Sequence, residues 1–316
     1  MKRTRFAATS TLVAIATASV VAVTPPKTSK GESSAGASSP NIAQLWIDPS
    51  GSVRDLDAGP GGDRRRPIKD ARYEVLERNT AGFSISYKVR DSEGDEWNVK
   101  IGPEAQTEVV TSRIVWAAGY HQLPSYFVER WIAVEDGRDA LRGGARFRPK
   151  DKTVESKGIW LWQQNPFVGS RELNGLLVLM MILNSTDLKD QNNELFELAG
   201  GPREGASRWY VAKDLGASLG ETGWFDPRRG DIDAFEREPF ITGLKGPFVK
   251  FGFQGRHKNL LEKITADDVK WMCERMTAMT DQQLQDAFHA GGYNDDTTRR
   301  FVARIRQKVA EGLALR

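Results

Sequence analysis

The chain has 316 residues, 39% hydrophobic and 28% charged, enough for one large domain or two lobes with a sizeable core. Its formal net charge of +3 lacks the concentrated basic character of nucleic-acid binders, so no nucleic-acid partner is expected. The single cysteine, Cys273, excludes an intramolecular disulfide and a Cys-based zinc site, and the dispersed His121, His257 and His289 argue against a His-rich metal centre.

Lys2, Arg3 and Arg5 precede an uncharged run, Phe6 to Val23, that contains Ala16-Thr17-Ala18 as a small-x-small cleavage signal. Residues 1–23 therefore read as a signal peptide and the protein as exported, periplasmic or extracellular; an uncleaved run would be an N-terminal membrane anchor. Residues 24–40 are Pro/Ser/Gly-rich and read as a disordered linker, with the folded part starting near Asn41.

Three β-like runs follow: YEVLER (73–78), FSISYKV (83–89) and WNVKI (97–101), joined by polar, Gly-containing turns as in hairpins. The next segment reads as a helix, with Pro103, Glu104 and Glu108 near its start, Val110, Ile114 and Ala117 at helical spacing, and Gly119 at its end.

SRELNGLLVLMMIL (170–183) reads as a buried helix capped by Ser170. A polar loop, NSTDLKDQNN (184–193), interrupts this apolar stretch, and RWYVAK after it reads as a short strand. The charged stretch 226–238 reads as a solvated loop, GRHKN (255–259) as surface, and the Trp-rich 158–167 as core. From Thr265 the pattern is helical to the end. The expected fold is α+β and two-lobed: a small antiparallel β-lobe plus one helix (41–135) and a larger, mainly helical lobe (136–316).

Asp187 and Asn192 share the polar loop, and Asp214 ends the strand after it. A carboxylate and a carboxamide are hard oxygen donors of the kind Mg²⁺ accepts beside phosphate oxygens. A further carboxylate free of metal can take the proton of a hydroxyl. Lys189 offers a point charge for a phosphoryl group.

Asp187-Leu-Lys-Asp-Gln-Asn192 resembles the D-L-K-x-x-N catalytic loop of protein kinases, and Asp214-Leu-Gly216 stands where their Asp-Phe-Gly stands. WNVKIG resembles the strand whose lysine, here Lys100, holds the α and β phosphates. The following helix should supply that lysine's glutamate: Glu108, with Glu104 as the alternative one turn earlier on the same face. In place of a full Gly-rich loop there is Gly82; Ser185-Thr186 replaces His-Arg, and no Ala-Pro-Glu follows. These departures resemble the atypical branches, namely secretory-pathway, spore-coat, toxin and phosphoinositide kinases, and a group of uncharacterised exported bacterial proteins.

The resemblance implies ATP bound with Mg²⁺ or Mn²⁺ on Asn192 and Asp214. It further implies Asp187 and Lys189 as catalytic residues, and Lys100, Glu108 or Glu104, and Gly82 on the nucleotide. The implied reaction is phosphoryl transfer to a hydroxyl of a protein, glycan or lipid. The alternatives are an exported pseudokinase that binds without catalysis, or a nucleotidyl transferase on the same fold.

Overall fold

The computed structural model describes residues 39–316 except Ser52, Lys69, 81–83, Thr186, 224–227 and Gln254. The expected signal segment, most of the linker and Gly82 lie outside the described residues. Among the described residues, no helix is long and apolar enough to cross a membrane.

Strands β1 (Arg72–Asn79), β2 (Ile85–Arg90) and β3 (Glu96–Ile101) pair as consecutive hairpins and lead into α1 (Glu104–Ala117). Side chains alternate between the faces of a strand. Tyr73, Tyr87, Val89, Trp97 and Val99 accordingly pack with Trp131 and Phe147 into a small-lobe core, while Lys88, Asn98 and Lys100 take the alternate positions. The β2–β3 connection closes on Asp91, which accepts from the N–H groups of Glu93 and Asp95 and from the Trp97 indole at 2.9 Å.

The sheet is larger than the three strands read from the sequence. β4 (Tyr126–Val128), β5 (Trp131–Glu135), β6 (Arg138–Arg142) and β7 (Ala145–Pro149) extend it to seven, in the order β4-β7-β3-β2-β1-β5-β6. It is not wholly antiparallel, because β5 runs parallel to β1. Nor does the lobe end at residue 135: β6 and β7 continue the same sheet to Pro149. These added strands are three to five residues long, and β6 and β7 carry several charges, so their apolar alternation is weak.

α1 is buried on nearly all sides, and its Val110, Ile114 and Val115 join the core of the large lobe. That lobe contains β8 (Val154–Ser156), α2 (Arg171–Ile182), β9 (Asn193–Leu198) and β10 (Arg208–Ala212). It continues with α3 (Ile232–Arg237), β11 (Ile241–Lys245), β12 (Phe248–Phe251), α4 (Lys258–Leu261), α5 (Ala266–Ala278), α6 (Asp281–Ala290) and α7 (Asp295–Leu313). Its β-structure is a three-stranded sheet, β10-β9-β8, and the hairpin β11–β12. Part of the segment read as a solvated loop is α3, which buries Ala234 and Phe235; residues 226 and 227 lie outside the description.

The helix starts follow from their caps. Ser170 accepts from Leu173 N–H, Thr265 and Thr280 form capping boxes with Asp268 and Gln283, and Asn294 accepts from Thr297 N–H. α2 runs through the middle of the core, as its all-round apolar sequence requires. Gly175 lets α5 approach, since a Cβ there would collide with the Trp271 ring. Before β1, the segment from Asn41 lies across the large core: Asn41 donates to Gly205 O, the Trp46 indole donates to Ala118 O at 2.8 Å, and its ring packs on Trp271.

Candidate functional site

The buried α2 delivers the chain to Asn184, which adopts a left-handed backbone (φ +50°), and the next residues form the polar loop. The loop is pinned from beneath. Trp162 N–H donates to Asp190 Oδ1 at 2.9 Å, and Asn193 Nδ2 donates to Trp160 O at 3.1 Å. Trp160 and Trp162 are core residues, as read, and their segment is also the floor of the loop. Asn193 is turned into that floor and opens β9.

His257 holds the loop from a second side. Its Nε2 lies 2.6 Å from Leu188 O and its Nδ1 3.2 Å from the Gln163 amide nitrogen, a pair of contacts that matches the Nε2–H tautomer. The sequence placed this residue in a surface cluster; it is buried. A lone histidine in a polar stretch gives no sign of a distant carbonyl partner.

On the upper side of the loop, Asn192 Nδ2 donates to Asp187 O at 2.7 Å and to its Oδ2 at 3.3 Å. Lys189 Nζ donates to the same carboxylate at 2.7 Å. Lys213 N–H donates to Asn192 O at 2.7 Å, tying the end of β10 to the loop, and its ammonium pairs with Glu194. Burial, and then the charge of Arg148, bring the Lys213 ammonium down to about 8. Asp214 follows in a left-handed conformation (φ +54°). Gly216 permits the backbone to pass against α1, since a Cβ there would press on the Glu104 side chain, and its carbonyl accepts from Thr107 Oγ1 at 2.6 Å.

Lys100 reaches down from β3. Its Nζ lies 2.5 Å from Asp214 Oδ1, 2.7 Å from Glu104 Oε2 and 3.4 Å from Glu108 Oε2. Burial opposes its charge, but Glu108, Asp214 and Glu104 outweigh burial and hold it above the ordinary lysine value. The two glutamates left open by the sequence thus both touch the lysine, with different supports. Glu104 is also paired with Arg229 Nε at 2.9 Å. Glu108 is fully buried, forms an ion pair with Arg146 Nε at 3.1 Å and accepts from Arg148 Nη2 at 2.9 Å. Burial would raise its carboxyl, yet Arg146, Arg148 and Lys100 prevail and hold it at about 2.

Arg146, Arg148, Arg229 and His257 were not read from the sequence as site residues. The first two were findable: in Ala145-Arg146-Phe147-Arg148 the arginines are two apart, so a strand puts both on the face opposite the buried Phe147.

Lys100, Glu104, Asp187, Lys189, Asn192 and Asp214 all line one cavity of about 720 Å³ between the lobes, with Glu108 just behind Lys100. Among the described residues, no group of three His, Cys, Asp or Glu could hold a metal alone. The donor set fits a cation that completes its shell with phosphate oxygens: Asp214 offers a carboxylate, and Asn192, with its amide nitrogen spent on Asp187, offers its oxygen.

The two lobes and the cleft between them form a mixed α+β fold. No protein-family model and no curated protein matches the chain. Among solved structures, it is similar to a Helicobacter pylori proinflammatory kinase, CtkA, at 11% identity and a TM-score of 0.42, covering 78% of this chain and 94% of that one. It is also similar to the Golgi casein kinase, at 9% identity and a TM-score of 0.41, covering 79% of this chain and 71% of that one. A further structure of the Golgi casein kinase, with Mn/ADP bound, has a TM-score of 0.41, again at 9% identity, covering 79% of this chain and 73% of that one.

Proposed function

We propose that the chain is an ATP-dependent phosphotransferase of atypical kinase type, passing a phosphoryl group to a hydroxyl on a protein, glycan or lipid. One observation carries this reading. Lys100 from the small lobe meets Asp214 from the large lobe at 2.5 Å, in a cavity that Asp187 and Asn192 also line. A scaffold has no need to converge a lysine, two aspartates and an asparagine from three separate segments.

In this reading Lys100, fixed by Glu104 and Glu108, neutralises phosphate charge, and Lys189 adds a second cation from the opposite lobe. Asp187 orients the acceptor hydroxyl and takes its proton. Asn192 and Asp214 would hold Mg²⁺ or Mn²⁺, which when bound neutralises developing charge on the phosphates. Since Lys100 and Asp214 pair directly, a bound cation and phosphates would replace their mutual contact. The basic start and the uncharged run Phe6–Val23 support export of the enzyme from the cytoplasm.

The test is incubation of the purified chain and an extract with γ-labelled and, separately, α-labelled ATP plus Mg²⁺ or Mn²⁺. Label transferred from the γ position alone supports the proposal. Label transferred from the α position makes it a nucleotidyl transferase, and no transfer with intact nucleotide binding makes it a binding protein.

A further inference from the structure

We infer that Arg229 is a positioning residue: it aims the Glu104 carboxylate at Lys100, and so ties the phosphate-binding lysine of the small lobe to the chain that follows Asp214. This rests on the phosphotransfer reading and adds a residue to it.

Glu104, the first residue of α1, divides its two carboxylate oxygens between two cations. Oε1 pairs with Arg229 Nε at 2.9 Å, and Oε2 with Lys100 Nζ at 2.7 Å. The side chains of Arg229, Glu104 and Lys100 are 15%, 11% and 13% exposed, so salt and water screen these contacts little. A carboxylate is rigid and planar, so a cation that fixes one oxygen also fixes where the other points.

The other two acids at Lys100 are committed elsewhere. Glu108 stands farther off, at 3.4 Å, and its other oxygen is shared by Arg146 and Arg148. Asp214 is the carboxylate that the proposed cation would claim on binding. Glu104 is then the nearest acid left to hold the lysine.

Arg229 can serve as an anchor because the backbone on both sides of it is fixed to the large lobe. Glu221 N–H donates to Arg228 O at 2.9 Å and Gly230 N–H to Ser218 O at 3.1 Å, which pairs its neighbours with the stretch just past Asp214. That stretch is itself fastened to the turn that leads toward Asp187: Leu219 N–H donates to Leu183 O at 2.8 Å, and Asn184 Nδ2 to Gly220 O at 2.8 Å. Gly230, in a left-handed conformation (φ +61°), lies against α1, since a Cβ there would press on the Thr107 methyl group and the Tyr293 hydroxyl. Direct contacts therefore run from the start of the Asp187 loop, through Arg229 and Glu104, to Lys100.

The experiment is a double-mutant cycle of Glu104→Gln and Arg229→Gln in the full chain. It is read by calorimetric affinity for ATP with Mg²⁺ and by single-turnover transfer of γ-label from ATP to an extract, with thermal unfolding of every variant. Each single change should slow transfer by about tenfold to a hundredfold, the cost of a small misplacement of a group that holds the phosphates. The double variant should lie within about threefold of the slower single variant in transfer, and of the weaker one in affinity, because Arg229 acts through Glu104. Arg229→Lys, which keeps a cation for Glu104, should recover most of the rate. Losses that multiply in the double variant overturn the inference and make Arg229, which also lines the cavity, a direct phosphate contact. Transfer by Arg229→Gln at the parent's rate, or a loss no greater than its loss of folded protein, overturns it too. Each of these leaves the phosphotransferase reading in place, whereas no transfer by the parent overturns both.

Discussion

The ammonium of Lys308, near the end of α7, lies 2.7 Å from Asn184 Oδ1 and 3.0 Å from Ile182 O. Lys308 is fully buried, and its nitrogen also sits 4.0 Å from the centre of the Phe235 ring. Asn184 in turn donates to Gly220 O at 2.8 Å. One side chain therefore joins the C-terminal helix, the end of α2 and, through Asn184, the segment after Asp214, at the point where the chain turns toward Asp187.

Lys308→Met should destabilise the protein by about 1–3 kcal/mol, since it strands two buried acceptors. Burial, and then Arg304, hold the Lys308 ammonium well below the ordinary lysine value. The unfolded chain therefore binds the extra proton, and this group's contribution to stability rises with pH up to the unfolded lysine range. Chemical denaturation from neutral to alkaline pH should show a rise in the parent that is reduced in the variant. An identical pH profile for the two counts against this account.

Asp214→Ala should abolish metal-dependent nucleotide binding or weaken it greatly, because in the proposed reading its carboxylate, facing the cavity, would be the cation's charged ligand. Asp187→Ala should retain binding and lose about 10²–10⁴-fold in turnover, the usual cost of removing a proton acceptor. Titration of each variant beside a single-turnover assay separates the two effects.

Glu108 ties acid stability to the site. Its carboxyl is held at about 2, below the ordinary value of 4.5, so its contribution is complete above pH 4.5 and is lost as pH falls toward 2. Glu108→Gln should be less stable than the parent at neutral pH, by on the order of 3 kcal/mol. The gap should close on acidification through that window. A gap independent of pH in thermal or denaturant unfolding is the contrary result.

His257→Ala should leave nucleotide affinity close to that of the parent and lower turnover by about tenfold to a hundredfold, because it frees Leu188 O beneath the loop and small misplacements of reacting groups cost that much. Equal losses in affinity and turnover would make its role one of general folding.

The residues of the cleft were legible where chemistry is compressed into short stretches of chain. Asp187 and Asn192 stand five apart on one loop, Asp214 precedes Leu-Gly, and Lys100 ends a run of strand-like alternation. Less legible was anything set by contacts between distant segments. The parallel pairing of β5 with β1 joins residues some sixty positions apart and leaves no periodic trace. Arg146 and Arg148 gain a role only once β7 lies beside β3, opposite Lys100 and Asn98. The choice between Glu104 and Glu108 could not be made from spacing because the fold uses both, one against Arg229 and the other against the arginines of β7.

The helix that carries these two glutamates is fastened at both ends. Near its start, Thr107 is bonded to Gly216 O; just past its end, Ala118 O takes the Trp46 indole and Gly119 O takes Ile47 N–H. The lysine–glutamate pairing sits at the first of these fastened ends, beside Thr107. In the proposed phosphotransferase, a helix fastened in this way would need no ignition key of its own, and control would fall to the supply of what fills the cleft.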